Sequence, residues 1–139
     1  MNLYILDTDT LSLFQAGHPK VCEHIHAVPS EALAITVLNV EEQLSGWYTE
    51  LRKAKTPGRL AWAYRRLAEN VRFLSRLRIL DFDEPAIRRY EDLRRMKLNV
   101  KRADLQIAAV ALHHQATVAT ANLRDFKRVP GLVVEDWSK

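Results

Sequence analysis

Apolar positions along the chain fall into two alternating patterns. The first is a set of short runs. Leu3 to Leu6, Leu33 to Val37, Arg78 to Phe82, Thr117 to Thr120 and Leu132 to Glu135 are each compact enough for a buried strand. Between them lie stretches with helical spacing. Thr10 to Ala16 ends at Gly17, a glycine stop, and Pro19 opens a second helix to about Val28. Val40, Leu44, Trp47, Tyr48 and Leu51 recur at helical intervals until Thr56-Pro57-Gly58 breaks the pattern. Leu60, Tyr64, Leu67, Val71 and Leu74 form the apolar stripe of the next helix, and Pro85 to Met96 reads as an Arg-rich one. Asn99 to Arg102 is a connector to DLQIAAVALHH, an almost wholly apolar helix beginning at Asp104. Ala121 to Arg128 reads as a polar loop or short helical turn. Strands alternating with helices predict an α/β fold: one continuous domain over 1–139, with a mainly parallel sheet of about five strands flanked by helices.

In such sheets ligands bind beyond the carboxyl ends of the strands. Acids gather at the positions that lead there. Asp7 follows the first strand and Asp9 enters the turn; Glu41 and Glu42 are expected in the first turn of the helix after the second strand. Asp104 opens the apolar helix, and Asp125 lies after the fourth strand beside Asn122. Each taken singly is explained as well by helix capping or by the helix dipole. Asp104 resists that account most, because a carboxylate beside an apolar core is costly unless paired or bound to a cation. Clustered carboxylates raise one another's pKa. A divalent ion relieves that conflict, and oxygen ligands select Mg²⁺ or Mn²⁺.

Composition excludes several alternatives. Cys22 is the only cysteine, which rules out an internal disulfide framework and fits a reducing cytoplasm; it reads as a small helix residue. His24 and His26 would point to different sides of a helix, and His113-His114 sit at a helix end, where they complement its dipole. No glycine-rich phosphate loop or nucleophile elbow is present. No apolar run approaches the ~20 residues of a membrane span, and no basic segment precedes the first apolar run, so neither a membrane association nor a secretory signal is expected. Charge is distributed unevenly: Arg52 to Arg102 holds sixteen Lys and Arg against six Asp and Glu, a balance of +10, whereas the rest of the chain carries −6. A basic middle beside an acidic pocket fits a polyanion partner, although solvated helix faces account for the charge equally simply.

Two families share parts of this pattern. LDTDT alone resembles the first motif of haloacid-dehalogenase-like phosphatases, in which Asp7 would be the nucleophile and Asp9 an acid/base; the later TANLRDF matches that family weakly. The wider set YILDTDTLS, VEEQLSGW, ADLQIAAVAL and TANLRDFKRVPGLVVEDW resembles the PIN-domain nucleases, specifically VapC-like toxins of type II toxin–antitoxin pairs. That resemblance implies a PIN-like α/β domain and a metal-dependent endoribonuclease. It places catalytic acids on Asp7, Glu42, Asp104 and Asp125, the metal on Asp7 and Asp104, and further candidates on Asp9, Glu41 and Asn122. It implies Mg²⁺ (or Mn²⁺) as cofactor, an RNA substrate such as a tRNA loop, a homodimer, and inhibition by a VapB-like antitoxin contacting Leu11, Leu13 and Phe14. The Arg-rich helices would hold the RNA backbone. The chain departs from the family in reading DTD for the usual DTN, and in lacking a glycine just before the third acid, in NVKRAD. A non-catalytic RNA- or partner-binding module on the same fold is the rival from another class.

Overall fold

The computed structural model describes residues 2–139. Its centre is a five-stranded, wholly parallel sheet of β1 (Tyr4–Leu6), β2 (Leu33–Thr36), β3 (Arg78–Leu80), β4 (Thr117–Ala119) and β5 (Val133–Glu135), in the order β3-β2-β1-β4-β5. Tyr4 lies opposite both Leu33 and Thr117, which fixes β1 as the middle strand. The chain leaves β1 towards β2 and β3 and later returns to the other side as β4. The topological switch point therefore falls between β1 and β4, where open parallel sheets place their sites.

Among the described residues seven helices surround the sheet: α1 (Thr8–Gln15), α2 (Pro19–Ala27), α3 (Val37–Lys53), α4 (Pro57–Leu74), α5 (Glu84–Arg95), α6 (Arg102–His113) and α7 (Leu123–Phe126). A short 3-10 turn, Ser30–Ala32, leads into β2. α1 ends as its sequence predicts, with Gly17 at φ 79° and its N–H bonded to the Phe14 carbonyl at 3.0 Å. Two cores flank the sheet. One joins Ile5 and Val118 to α5 and α6; the other joins Leu6 and Ile35 to Leu11, Val21, Ile25 and Trp137. Within α6, Ile107 to Ala111 are wholly buried, and the small Ala108, Ala109 and Ala111 let the helix lie close against its neighbours. Among the described residues no helix is long and apolar enough to cross a membrane.

Several expectations need correction. α3 begins at Val37, earlier than its apolar stripe suggests, because Thr36 caps it: the Thr36 side chain accepts from the Asn39 N–H while the Asn39 side chain accepts from the Thr36 N–H. Glu41 and Glu42 consequently lie in the second turn, not the first. The α4 stripe joins the core only at its last member, Leu74. Leu60, Tyr64 and Val71 are 38 %, 57 % and 48 % exposed, because the helix turns Ala63, Asn70 and Leu74 inward. Conversely, Leu11 is fully buried and Leu13 and Phe14 pack against the same core, so the apolar face of α1 supports the fold rather than offering a partner surface.

Ile107→Ala removes a fully buried side chain from the centre of α6. It should cost about 2–5 kcal/mol, read as a drop in melting temperature on the order of 10 °C with the folded circular-dichroism spectrum retained.

Candidate active site

Asp7 stands at the switch point, 2 % exposed, one residue past β1. It is the N-cap of α1, its Oδ1 accepting from the Thr10 N–H at 2.8 Å, and its own N–H donates to the Ala119 carbonyl of β4 at 3.1 Å. Capping does not exhaust it. Its Oδ2 accepts from Thr120 Oγ1 at 2.6 Å, across the strand boundary. The Thr120 hydroxyl in turn accepts the Asn122 N–H at 2.8 Å, and Asn122 Nδ2 donates to Asp125 Oδ2 at 2.8 Å. One chain of hydrogen bonds thus runs from the first acid to the last.

A second network fixes Glu42. Asn39 is fully buried, and its Oδ1 accepts from both the N–H (2.6 Å) and the hydroxyl (2.8 Å) of Thr36. Its Nδ2 donates to Thr8 Oγ1 at 3.1 Å, which leaves the single Thr8 hydroxyl proton for Glu42 Oε1 at 3.0 Å. The capping box that starts α3 therefore also holds α1 and orients an acid one helical turn further on.

Asp104 lies in the first turn of α6, half-buried. Burial first, then the charges of Asp7, Glu42 and Asp9, push its pKa up to about 6, with Lys101 opposing them. Asp7 is raised too, chiefly by burial and further by Asp9, against the hydrogen bonds from Thr120 and Thr10. Asp7, Asp9, Glu42 and Asp104 therefore share one electrostatic neighbourhood. Asp125 stands apart: Arg128 Nη1 lies 3.2 Å from its Oδ1, and it is absent from the charges acting on Asp104. Glu41 is exposed and makes no side-chain hydrogen bond among those described.

These acids do not close into a ligand cage. Among the described residues no three His, Cys, Asp or Glu side chains converge at metal-ligating distance. Glu42 is held by the Thr8 hydroxyl through Oε1. The donor chemistry nonetheless fits a hard divalent cation: the groups are all carboxylate oxygens, and burial together with neighbouring acids raises the pKa of Asp7 and Asp104. Sequence reasoning missed Thr8, Asn39 and Thr120. The one available signal was the spacing of TAN, a hydroxyl at a strand's carboxyl end two residues before an amide.

Fold and site together define a class: a parallel α/β protein carrying oxygen-donor acids at the switch point of its sheet. Residues 4–132 match the PIN domain family, and the chain belongs to it. A curated relative, ribonuclease VapC2 of Rickettsia felis, is 41% identical over 71 residues, covering 48% of this chain and 53% of that protein, so that match spans about half of the relative. The tRNA(fMet)-specific endonuclease VapC of Salmonella typhimurium is 29% identical over 138 residues, 96% of this chain and 97% of the relative. The solved DNA-bound VapBC from Salmonella typhimurium superposes with a TM-score of 0.79 at 28% identity, covering 99% of each chain. VapBC2 from Rickettsia felis, bound to a promoter DNA fragment, gives 0.74 at 28% identity over 97% of this chain and 98% of that one. The phosphatase alternative built on LDTDT falls with this membership.

The raised pKa of Asp104 has a definite sign for stability. Between about pH 4 and about pH 6 the folded chain binds the proton that the unfolded chain has released, so stability falls as pH rises through that window and stays lower above it. In EDTA, Asp104→Asn should melt above the native chain near neutral pH and together with it at about pH 4.

Proposed function

We propose that the chain is a metal-dependent endoribonuclease of the VapC kind, the toxin of a type II pair held inactive by a VapB-like antitoxin in the cytoplasm. The observation that carries this is the set of acids at the sheet's switch point: Asp7 buried just past β1, Glu42 held on Thr8, and Asp104, whose pKa burial and these neighbours push up to about 6. A protein that only bound polyanions would gain nothing from such a concentration of negative charge. Asp7 and Asp104 would hold Mg²⁺, or Mn²⁺ in its place, directly or through water. Bound there, the ion supplies a water of lowered pKa and neutralises charge building on the phosphate.

The chain's own groups divide the remaining work. Asp7 is the immobile member, since Thr10 and Thr120 fix both its oxygens. Glu42 is aimed by Thr8 through Oε1, which leaves Oε2 to accept the proton of the attacking water. Asp125, tied to Arg128 and Asn122, completes the acidic set from the rim. Asp9, exposed in the first turn of α1, adds charge where the family usually has asparagine. The substrate is RNA with accessible bases, as in a tRNA loop.

Partner binding has a place of its own. A cleft of about 520 Å³ between α1, α3 and α4 is lined by Gln43, Trp47, Arg66, Asn70 and Phe73 among others. Asn70 Nδ2 is buried there with no hydrogen-bond partner among the described residues, an unmet donor suited to a carbonyl of the antitoxin. The exposed Leu60, Tyr64 and Val71 of α4 are apolar surface available to the antitoxin or to a second copy in a homodimer.

Purified chain freed of antitoxin should degrade total RNA with Mg²⁺ and not with EDTA, and Asp7→Asn or Asp104→Asn should slow cleavage at least about 100-fold. Undiminished cleavage by either variant would overturn the site assignment. RNA binding without cleavage by the native chain in Mg²⁺ would favour the non-catalytic module.

A further inference from the structure

Beside the carboxylates lies a second cleft, of about 460 Å³, lined by Asn99, Val100, Lys101, Arg124, Asp125 and Arg128. It joins the α5–α6 connector to α7. Its wall is built rather than incidental: Arg128 Nη1 donates to the Asn99 carbonyl at 2.7 Å and sits 3.2 Å from Asp125 Oδ1. Arg128 and Asp125 thereby neutralise each other and brace the connector against α7. Lys101 and Arg124 are different. Both are exposed, and neither forms an ion pair among the described residues. Asp125 itself lines the cleft, and Lys101 is the N-cap of the helix whose first turn holds Asp104, so the cleft adjoins the acidic site.

The arginines of the long helices compare poorly with these two. On α4, Arg59 pairs with Glu50, and Arg65 and Arg66 both pair with Glu69; Arg59 and Arg66 also lie over the rings of Trp62 and Trp47. On α5, Arg88 pairs with Glu84 and Arg95 with Asp92. Five of the sixteen cations of the basic middle are thus paired with acids of α3, α4 or α5. Lys101 and Arg124 have no such partner among the described residues, and both line the cleft that Asp125 shares.

We infer that this cleft is a phosphate subsite of the RNA track, in which Lys101 and Arg124 hold a backbone phosphate neighbouring the scissile one. The inference rests on the ribonuclease proposal and deepens it. Two exposed, unpaired cations around a braced, internally neutral wall would grip a phosphodiester without reading its base. The scissile group would then be positioned by its neighbour, so a repelling acidic site need not supply the binding itself.

The test is fluorescence anisotropy of a short single-stranded RNA on Asp104→Asn protein with Mg²⁺, over a range of salt concentrations. Lys101→Gln and Arg124→Gln should each flatten the slope of log K against log salt by about 0.7, and the double variant by about twice that. With Asp104 restored, the double variant should raise KM for RNA cleavage while leaving kcat near the native value. Arg72→Gln, on α4, should leave the slope unchanged. An unaltered slope in the double variant, or an equal loss with Arg72→Gln, overturns the subsite. If the native chain cleaves no RNA at all, the ribonuclease reading fails; cleavage with an unaltered slope removes the subsite alone.

Discussion

A carboxylate taken out of water at a sheet's switch point must be satisfied by the protein around it, and the way Asp7 is satisfied organises this molecule. The Thr10 amide holds one oxygen and the Thr120 hydroxyl the other. The first bond starts α1; the second ties β1 to the turn after β4, strands 113 residues apart in sequence at the bonded positions. Burying an unpaired carboxylate would cost several kcal/mol. The register of β1 against β4 and the placement of the acid therefore support each other, and loosening either exposes the other.

Around that fixed point the remaining acids are deliberately less settled. Glu42 hangs from Thr8, and burial and like charges push the pKa of Asp104 up to about 6. The sheet and α6 are packed well enough to tolerate this, with Ile107 to Ala111 buried and Val118 and Ile5 beneath them. The stability of the cores thus sustains an anionic neighbourhood that destabilises itself until a cation or a basic partner group enters it. Asp125 escapes the conflict by pairing with Arg128, and that pairing leaves the rim of the site braced and neutral, with Lys101 and Arg124 unpaired beside it.

Much of the architecture was legible in the sequence. The five apolar runs became five strands, and Gly17, Pro19, Pro57 and Pro85 lie at helix boundaries. The acids that adjoin the sheet's carboxyl edge were legible too, since an acid just past an apolar run has few places to go. The hidden parts depend on contacts that no local pattern carries. Thr8, Asn39 and Thr120 are ordinary polar residues until the fold brings α1, α3 and β4 together. The start of α3 was missed because its cap is reciprocal and lies ahead of the apolar stripe. Periodicity located the stripe of α4 without saying what covers it: Leu74 is buried, whereas Tyr64 is exposed. Trp137, 2 % exposed and packed on Tyr4 and His24, closes one core from a tail with too little pattern to mark it.

The account stands or falls on whether the Thr120-anchored Asp7 holds a divalent ion. Titration of the purified chain with Mn²⁺, followed by electron paramagnetic resonance, measures this without any substrate. Native protein should bind Mn²⁺ at a site that Asp7→Asn abolishes, and Thr120→Val, which frees an oxygen of Asp7, should weaken about 10- to 100-fold. Equal Mn²⁺ affinity in all three proteins would contradict it.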